Sequence, residues 1–194
     1  MTAERDPAVC GTMTVVVGPS GAGKDTLMDY ARNRLSDEAD IAFIRRFITR
    51  DGNAGGEVHH AVTVVEFESL QAQGAFAVSW GAHGLFYGIP ADTRERITLG
   101  KTLVVNGSRA AIPEFLRVYP SLVVISITAR PDVIAERLAA RGRESIEEIG
   151  RRLSRSTNGW QENCRCISID NSGSIEDAGD ALLDAIRTIS RRSA

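Results

Sequence analysis

Short, unbroken runs of apolar residues recur along the chain and are separated by longer stretches in which apolar and polar residues mix. A run that is apolar throughout is typical of a parallel strand, because helices cover both faces of a parallel sheet. We therefore predict buried strands at Met13–Val17, Thr102–Asn106, Leu122–Thr128 and residues 166–169, and a further extended piece at residues 41–49.

The stretches between these strands carry helix signals. Pro131 opens one predicted helix, and Pro113 is tolerable in the first turn of another. Ser145 and Glu148 have the spacing of a capping box, and Ser174 caps a final helix. The predicted helices cover residues 25–35, 91–99, 110–119, 131–141, a segment from 145 onward, and 174–190. Strands that alternate with helices predict a three-layer α/β fold with a parallel central sheet and helices on both faces.

Residues 47–89 do not follow this alternation. This segment contains a Gly/Asn/Asp loop at 51–56. A capping box at Thr63 then predicts a short helix that runs to Gln73 and is stopped by Gly74. Two strands, 75–80 and 85–89, then flank a turn. We interpret 47–89 as a substrate lobe inserted into a single domain, whose core covers about 13–46 and 90–190.

Composition narrows the function classes. The 194 residues carry a net charge of −2, which argues against a general nucleic-acid-binding surface. No apolar stretch reaches the length of a membrane span, and residues 1–12, predicted to be a loose leader, are unlike a signal peptide. Three cysteines without metal-type spacing favour a reducing cytoplasm. A homodimer is one assembly that the sequence allows.

A glycine-rich segment directly follows the first strand and precedes a predicted helix. Its pattern, G-x-x-x-x-G-K, is that of a P-loop, in which backbone N–H groups, a helix N-terminus and a lysine surround the phosphates of a nucleoside triphosphate. The alternative is a glycine-rich turn without function. The chain has only two lysines against twenty-one arginines, and one of them lies here. The predicted nucleotide-binding residues are Gly18, Pro19, Ser20, Gly21, Ala22, Gly23, Lys24, Asp25 and Thr26.

The position after the lysine, where Ser or Thr normally ligates Mg²⁺, holds Asp25, and Thr26 follows. We expect these two residues to serve the metal.

Arginines downstream form a second group. Arg137 and Arg141 share one helix face, and Arg152 lies on the next helix, across a glycine-containing connector. A solvated face is the alternative, but in a P-loop protein this arrangement favours a lid, at about 137–156, whose arginines neutralise charge during phosphoryl transfer. With Lys24, these are the predicted catalytic residues.

Further polar residues fall where an acceptor would bind. Arg50 and Tyr87 lie in the predicted lobe and could hold a phosphate, as could Arg109 after the strand that ends at Asn106. Glu57 belongs to the same predicted substrate-binding set. The nearby pair His59 and His60 is more typical of surface residues than of catalysis.

These motifs together resemble the guanylate kinase family over nearly the whole chain. The resemblance implies a guanylate-kinase-like P-loop NTPase fold with an inserted lobe and a helical lid. It also implies that Arg50 and Tyr87 bind the acceptor phosphate and that Arg137, Arg141 and Arg152 are lid arginines. The chain departs from that family in the acceptor lobe, where Ser79 replaces the guanine-reading glutamate and Asn53 replaces a second phosphate-binding arginine. A tyrosine is also missing between Glu57 and Phe67, so GMP is a poor candidate substrate.

In amino-acid sequence, four segments are similar to those of the ribose 1,5-bisphosphate phosphokinases of phosphonate breakdown: G-P-S-G-A-G-K-D, I-T-R-D, V-N-G-S-R-A and R-G-R-E. That resemblance implies transfer from ATP, with Mg²⁺, to a small sugar phosphate, producing 5-phosphoribosyl 1-diphosphate. Because Asn106 stands where related enzymes place an acidic residue, we hypothesise that Asp25 supplies the carboxylate for the metal. The alternatives are a nucleoside monophosphate kinase and a non-catalytic, guanylate-kinase-like interaction module.

Overall fold

The computed structural model describes residues 10–52, 57–140 and 164–193. Its central sheet has five parallel strands in the order β2-β7-β1-β8-β9. Their bounds are β1 Met13–Val17, β2 Ile41–Phe43, β7 Thr102–Asn106, β8 Leu122–Thr128 and β9 Arg165–Asp170. The three strands predicted with named bounds are confirmed, and the last extends beyond the predicted 166–169.

Two hydrophobic layers sandwich this sheet, because side chains of a strand point alternately to its two faces. On one face, Val16 packs with the helices α1 (Lys24–Arg34) and α6 (Ile175–Ser193). On the other, Val15 packs with α3 (Thr93–Thr98) and α4 (Ile112–Val118). A further helix, α5 (Pro131–Ala140), follows β8. The predicted three-layer α/β fold with a parallel central sheet is confirmed.

A second sheet lies within the segment that does not alternate. Its strands have the order β4-β3-β6-β5, with bounds β3 Phe47–Ile48, β4 His60–Ala61, β5 Phe76–Ala82 and β6 Leu85–Pro90. Only β3 and β4 are parallel. The helix α2 (Val64–Ala72) begins at the predicted capping box, in which Thr63 Oγ1 accepts from the backbone N–H of Glu66. The interpretation of this segment as a substrate lobe stays a prediction.

Several local predictions were wrong. The extended piece 41–49 is two strands in different sheets, β2 and β3, and the chain crosses between the sheets at residues 44–46. Gly11 and Thr12 do not belong to a loose leader, since both are buried and Gly11 N–H donates to the Ile97 carbonyl at 2.8 Å. The predicted helix 110–119 begins as a 3₁₀ turn, Arg109–Ala111, before α4.

Other predictions lie outside the described residues: Asn53, Arg141, Arg152, the helix from 145 and most of the lid. Within the described ranges, no helix combines the length and the apolarity that a membrane crossing requires.

Candidate active site

The predicted P-loop connects β1 to α1 and is tightly enclosed by the structure around it. Gly21 and Gly23 both have φ of 84°, a left-handed conformation that glycine adopts without strain. A Cβ on Gly23 would lie 2.4 Å from Asn171 Nδ2, and one on Gly21 would lie 2.9 Å from Leu138. Only glycines fit here, which allows the loop backbone to curl tightly in front of α1, as a phosphate cradle requires.

The ammonium group of Lys24 is hydrogen-bonded to backbone carbonyls of this same loop. Its Nζ donates to the carbonyls of Gly18 at 2.8 Å and Pro19 at 3.1 Å. The pKa of Lys24 is lowered to about 8, and burial is the largest cause; the positive charges of Arg46 and Arg109 also lower it, while the carboxylates of Asp25 and Glu57 oppose the shift. Residues from α1 and from three other segments of the chain therefore act electrostatically on one amine.

Asn106, at the end of β7, joins two carboxylates from distant parts of the chain. Its Nδ2 donates to Asp25 Oδ1 at 2.9 Å and to Glu57 Oε2 at 2.8 Å. Within the described ranges, no group of three or more His, Cys, Asp or Glu side chains could hold a metal ion. A pair of carboxylates joined by one amide fits Mg²⁺, which binds through one or two carboxylates together with substrate phosphates.

Among the described residues, three of the predicted phosphate-binding arginines lack carboxylate partners. In the described part of the chain, the side chains of Arg50, Arg109 and Arg137 form no ion pair, although all three are partly buried. Arg50 Nε and Arg137 Nη1 are fully buried without any hydrogen-bond partner. Arg137 Nη1 lies 3.8 Å from the position that a Cβ on Gly23 would take, which places it at the P-loop. Burial also lowers the pKa of Arg109 below its usual range.

Unpaired, partly buried guanidinium groups are costly unless a ligand supplies the negative charge. By contrast, the exposed Arg117 pairs with Glu114, and the partly buried Arg187 pairs with Glu38. The arrangement around the P-loop is therefore suited to a highly charged, phosphate-rich ligand set.

Known proteins resemble this chain both in sequence and in structure. The chain is 51% identical over 175 residues to the ribose 1,5-bisphosphate phosphokinase PhnN of Agrobacterium fabrum, with 90% of this chain and 96% of the relative covered. It is 47% identical over 192 residues to the PhnN of Rhizobium etli, covering 96% and 98%. The chain belongs to the ribose 1,5-bisphosphate phosphokinase family. No protein-family model matches this family member.

Solved structures similar to this phosphokinase family member show its fold. A guanylate kinase from Anaplasma phagocytophilum aligns with a TM-score of 0.65 at 19% identity, covering 92% of this chain and 86% of that one. A gluconokinase from Sinorhizobium meliloti aligns with a TM-score of 0.54 at 17% identity, covering 95% of each chain. The predicted guanylate-kinase-like fold is confirmed.

The structure brings together many of the residues that the sequence singled out in this family member. Lys24, Asp25, Glu57, Asn106 and Arg109 form one electrostatic group around the P-loop lysine. Both Glu57 oxygens are already bonded to protein groups, which favours a positioning role over direct substrate contact. Thr26 is exposed, as is Ser20, whereas Gly21 and Ala22 are buried.

Tyr87, which the sequence predicts to bind the acceptor, belongs to an aromatic pair in the second sheet. Its ring stacks on Trp80 with centroids 5.2 Å apart and planes at 8°. Ser79, at the position of a guanine-reading glutamate in guanylate kinases, accepts a hydrogen bond from Gln71 Nε2 at 3.2 Å. Ser79 brings no negative charge to read a purine edge.

Two residues were missed by sequence reasoning. Asn171, after β9, is buried and donates to the Ala22 carbonyl at 2.7 Å, so it ties the P-loop to the far edge of the central sheet. Arg46 is 8% exposed and forms an ion pair with Glu57. A charged residue inside the extended run 41–49 was the available signal for Arg46, but an arginine there is also compatible with an exposed strand position.

Proposed function

We propose that this protein transfers the γ-phosphoryl group of ATP to ribose 1,5-bisphosphate, producing 5-phospho-α-D-ribose 1-diphosphate and ADP. An oxygen of the acceptor's 1-phosphate forms a new bond to the γ-phosphorus, and the bond from that phosphorus to the β–γ bridging oxygen breaks. The observation that carries the proposal is that Arg109 and Arg137, which form no ion pair within the described ranges, lie at the P-loop and its lysine. The names of the relatives supply the identity of the acceptor.

The donor phosphates are assigned to residues 18–26. The glycine-lined loop offers backbone N–H groups, the N-terminus of α1 adds a positive dipole end, and Lys24 exchanges its two carbonyl partners for phosphate oxygens. Arg137 acts from α5 on the transferring group, and we assign Arg141 and Arg152 to the same task.

The acceptor is assigned to Arg50, Tyr87 and Arg109, with Glu57 and Asn106 behind them. A phosphate acceptor is already ionised near neutral pH, since its second pKa is about 6, so the reaction needs no general base. The residues act by orientation and charge neutralisation, which are the main contributions in phosphoryl transfer.

Asp25 is the residue assigned to Mg²⁺, with Thr26 as the second candidate. Asp25 Oδ1 accepts from Asn106, which holds the carboxylate at the end of β7 and leaves its other oxygen for the metal or for a metal-bound water. A bound Mg²⁺ would neutralise charge on the phosphate oxygens.

A side-by-side assay tests the proposal. Purified protein with ATP and Mg²⁺ is incubated with ribose 1,5-bisphosphate, GMP or AMP, and products are identified by ³¹P NMR and mass spectrometry. We expect a diphosphate product from the sugar alone, and the matched variant Lys24→Ala should form none while keeping its fold. Preferential phosphorylation of GMP or AMP would favour a nucleoside monophosphate kinase. ATP binding without transfer to any small phosphate would favour an interaction module.

A further inference from the structure

Arg46 lies where the chain passes from the central sheet into the second sheet, between β2 and β3. Its carbonyl accepts from His60 N–H at 2.8 Å, which fixes the backbone there. Arg46 is 8% exposed, whereas the neighbouring Arg45 is exposed. Burying a guanidinium is costly unless the charge is paired, so a buried arginine at this crossing requires a specific explanation.

Glu57 holds the Arg46 guanidinium at one edge. Arg46 Nε and Nη2 lie 2.7 and 2.6 Å from the same oxygen, Glu57 Oε1, while Asn106 donates to Glu57 Oε2 at 2.8 Å. The carboxylate is therefore fixed from both sides. In the described ranges Nη1 of Arg46 has no acceptor, so one end of the fork is available to a further anion.

The face of the second sheet on which Arg46 lies is turned toward the core. Tyr87 pairs with Ile48 on one side and with Trp80 on the other, so these three side chains share a face, and Arg46 is two residues before Ile48. The ring centroids of Trp80 and Phe115 of α4 are 5.9 Å apart, so Trp80 packs against the core.

The Arg46 guanidinium lies over the ring of Tyr87. Arg46 Cζ is 4.9 Å from the Tyr87 ring centroid and 5.8 Å from that of Trp80. Through Glu57, Arg46 is also connected to Asn106, which in turn donates to Asp25 at the P-loop. A planar base could not stack on the covered ring surface, whereas an anion could bind the free end of the fork.

We propose that Arg46 is a specificity-determining residue, which binds a phosphate of the acceptor through its free guanidinium edge and occupies a ring surface on which a nucleobase would otherwise stack. Glu57 acts through Arg46 as a positioning residue. This inference rests on the proposed function for the identity of the acceptor. It explains the choice of an acceptor without a base by the buried ion pair between Arg46 and Glu57.

The test compares Arg46→Met and Arg46→Lys with the matched control Arg45→Met, whose side chain is exposed one position earlier. Steady-state kinetics gives KM for ribose 1,5-bisphosphate and for ATP, and calorimetry without ATP gives the affinity for the sugar bisphosphate. We expect Arg46→Met to weaken acceptor binding about 10- to 100-fold, the range for losing a hydrogen bond to a charged group. ATP affinity and the Arg45→Met variant should stay within about twofold of wild type, an effect small beside that range.

Arg46→Lys and Glu57→Gln serve if Arg46→Met fails to fold. Arg46→Lys keeps the positive charge but loses the planar guanidinium. Glu57→Gln keeps the volume of the side chain but loses the negative charge that pairs with Arg46. Each variant should therefore raise the acceptor KM more than the ATP KM. Parallel losses for acceptor and ATP, or an unchanged acceptor affinity in a folded Arg46 variant, would overturn the inference.

The titration separates this inference from the proposed function. Sugar bisphosphate that binds wild type but not Arg46→Met, without turnover, would support Arg46 as the binding residue and refute the proposed reaction. Equal turnover of the sugar bisphosphate by wild type and Arg46→Met would support the proposed reaction and refute the role of Arg46. Absence of binding to the wild type would refute both.

Discussion

The charge of Lys24 predicts how triphosphate binding changes with pH. Burial lowers the pKa of this side chain from 10.5 to about 8, so roughly nine-tenths of the lysines are charged at pH 7 and roughly one-tenth at pH 9. A bound polyphosphate favours the charged form and raises the pKa again. Binding above pH 8 must therefore include uptake of a proton, and we expect the affinity to fall about tenfold between pH 7 and 9, or about 1.4 kcal/mol.

Calorimetry with a non-hydrolysable ATP analogue measures this effect. The other lysine provides the control: Lys101 is partly exposed and donates to Asp40 Oδ1 at 2.9 Å, so Lys101→Met should keep the full pH dependence. Lys24→Met should bind weakly and lose the dependence. Wild-type affinity that stays constant within about twofold from pH 7 to 9, where tenfold is expected, would refute the reasoning, as would a Lys24→Met variant that keeps the pH dependence.

The same pKa predicts the sign of a stability change. Between pH 8 and 10.5 the unfolded chain holds the Lys24 proton and the folded protein does not, so the free energy of unfolding contributed by this group rises with pH across that window. The difference of about 2.5 in pKa corresponds to at most about 3 kcal/mol. Urea unfolding of wild type and Lys24→Met at pH 7.5 and 10 should show this contribution in the wild type alone.

The remaining predictions concern the P-loop, the metal and the second sheet. Gly23→Ala forces a Cβ to within 2.4 Å of Asn171 Nδ2 at a φ of 84°, so ATP-analogue binding by calorimetry should fall more than about tenfold; retained affinity would show that the loop adapts. Asp25→Asn should shift the Mg²⁺ concentration needed for half-maximal turnover upward, and an unchanged Mg²⁺ titration with wild-type turnover would exclude Asp25 as the metal's carboxylate. Thr63→Ala removes the hydrogen bond to Glu66 N–H and should lower the free energy of unfolding by about 1 kcal/mol in urea, with kcat unchanged; a change in kcat instead would assign the α2 cap a role in catalysis.

Local features of this protein could be predicted from its sequence. The strands β1, β7 and β8 follow from unbroken apolar runs, which are favourable only between two covering layers. The Thr63 capping box is likewise a short-range signal, since both of its partners lie within three residues. The P-loop could be identified because its glycines, its lysine and its helix are consecutive in the chain.

Only the tertiary structure decided which polar groups meet in the candidate site. Asn106 reaches Asp25 across 81 positions and Glu57 across 49, and Asn171 reaches Ala22 across 149. Such pairs leave no periodicity in the sequence, because their formation depends on how distant segments of the chain pack together. Arg46 shows the same limit: its residue type predicts an exposed charge, and it is buried because the crossing between the sheets places it beside Glu57 and the Tyr87 ring.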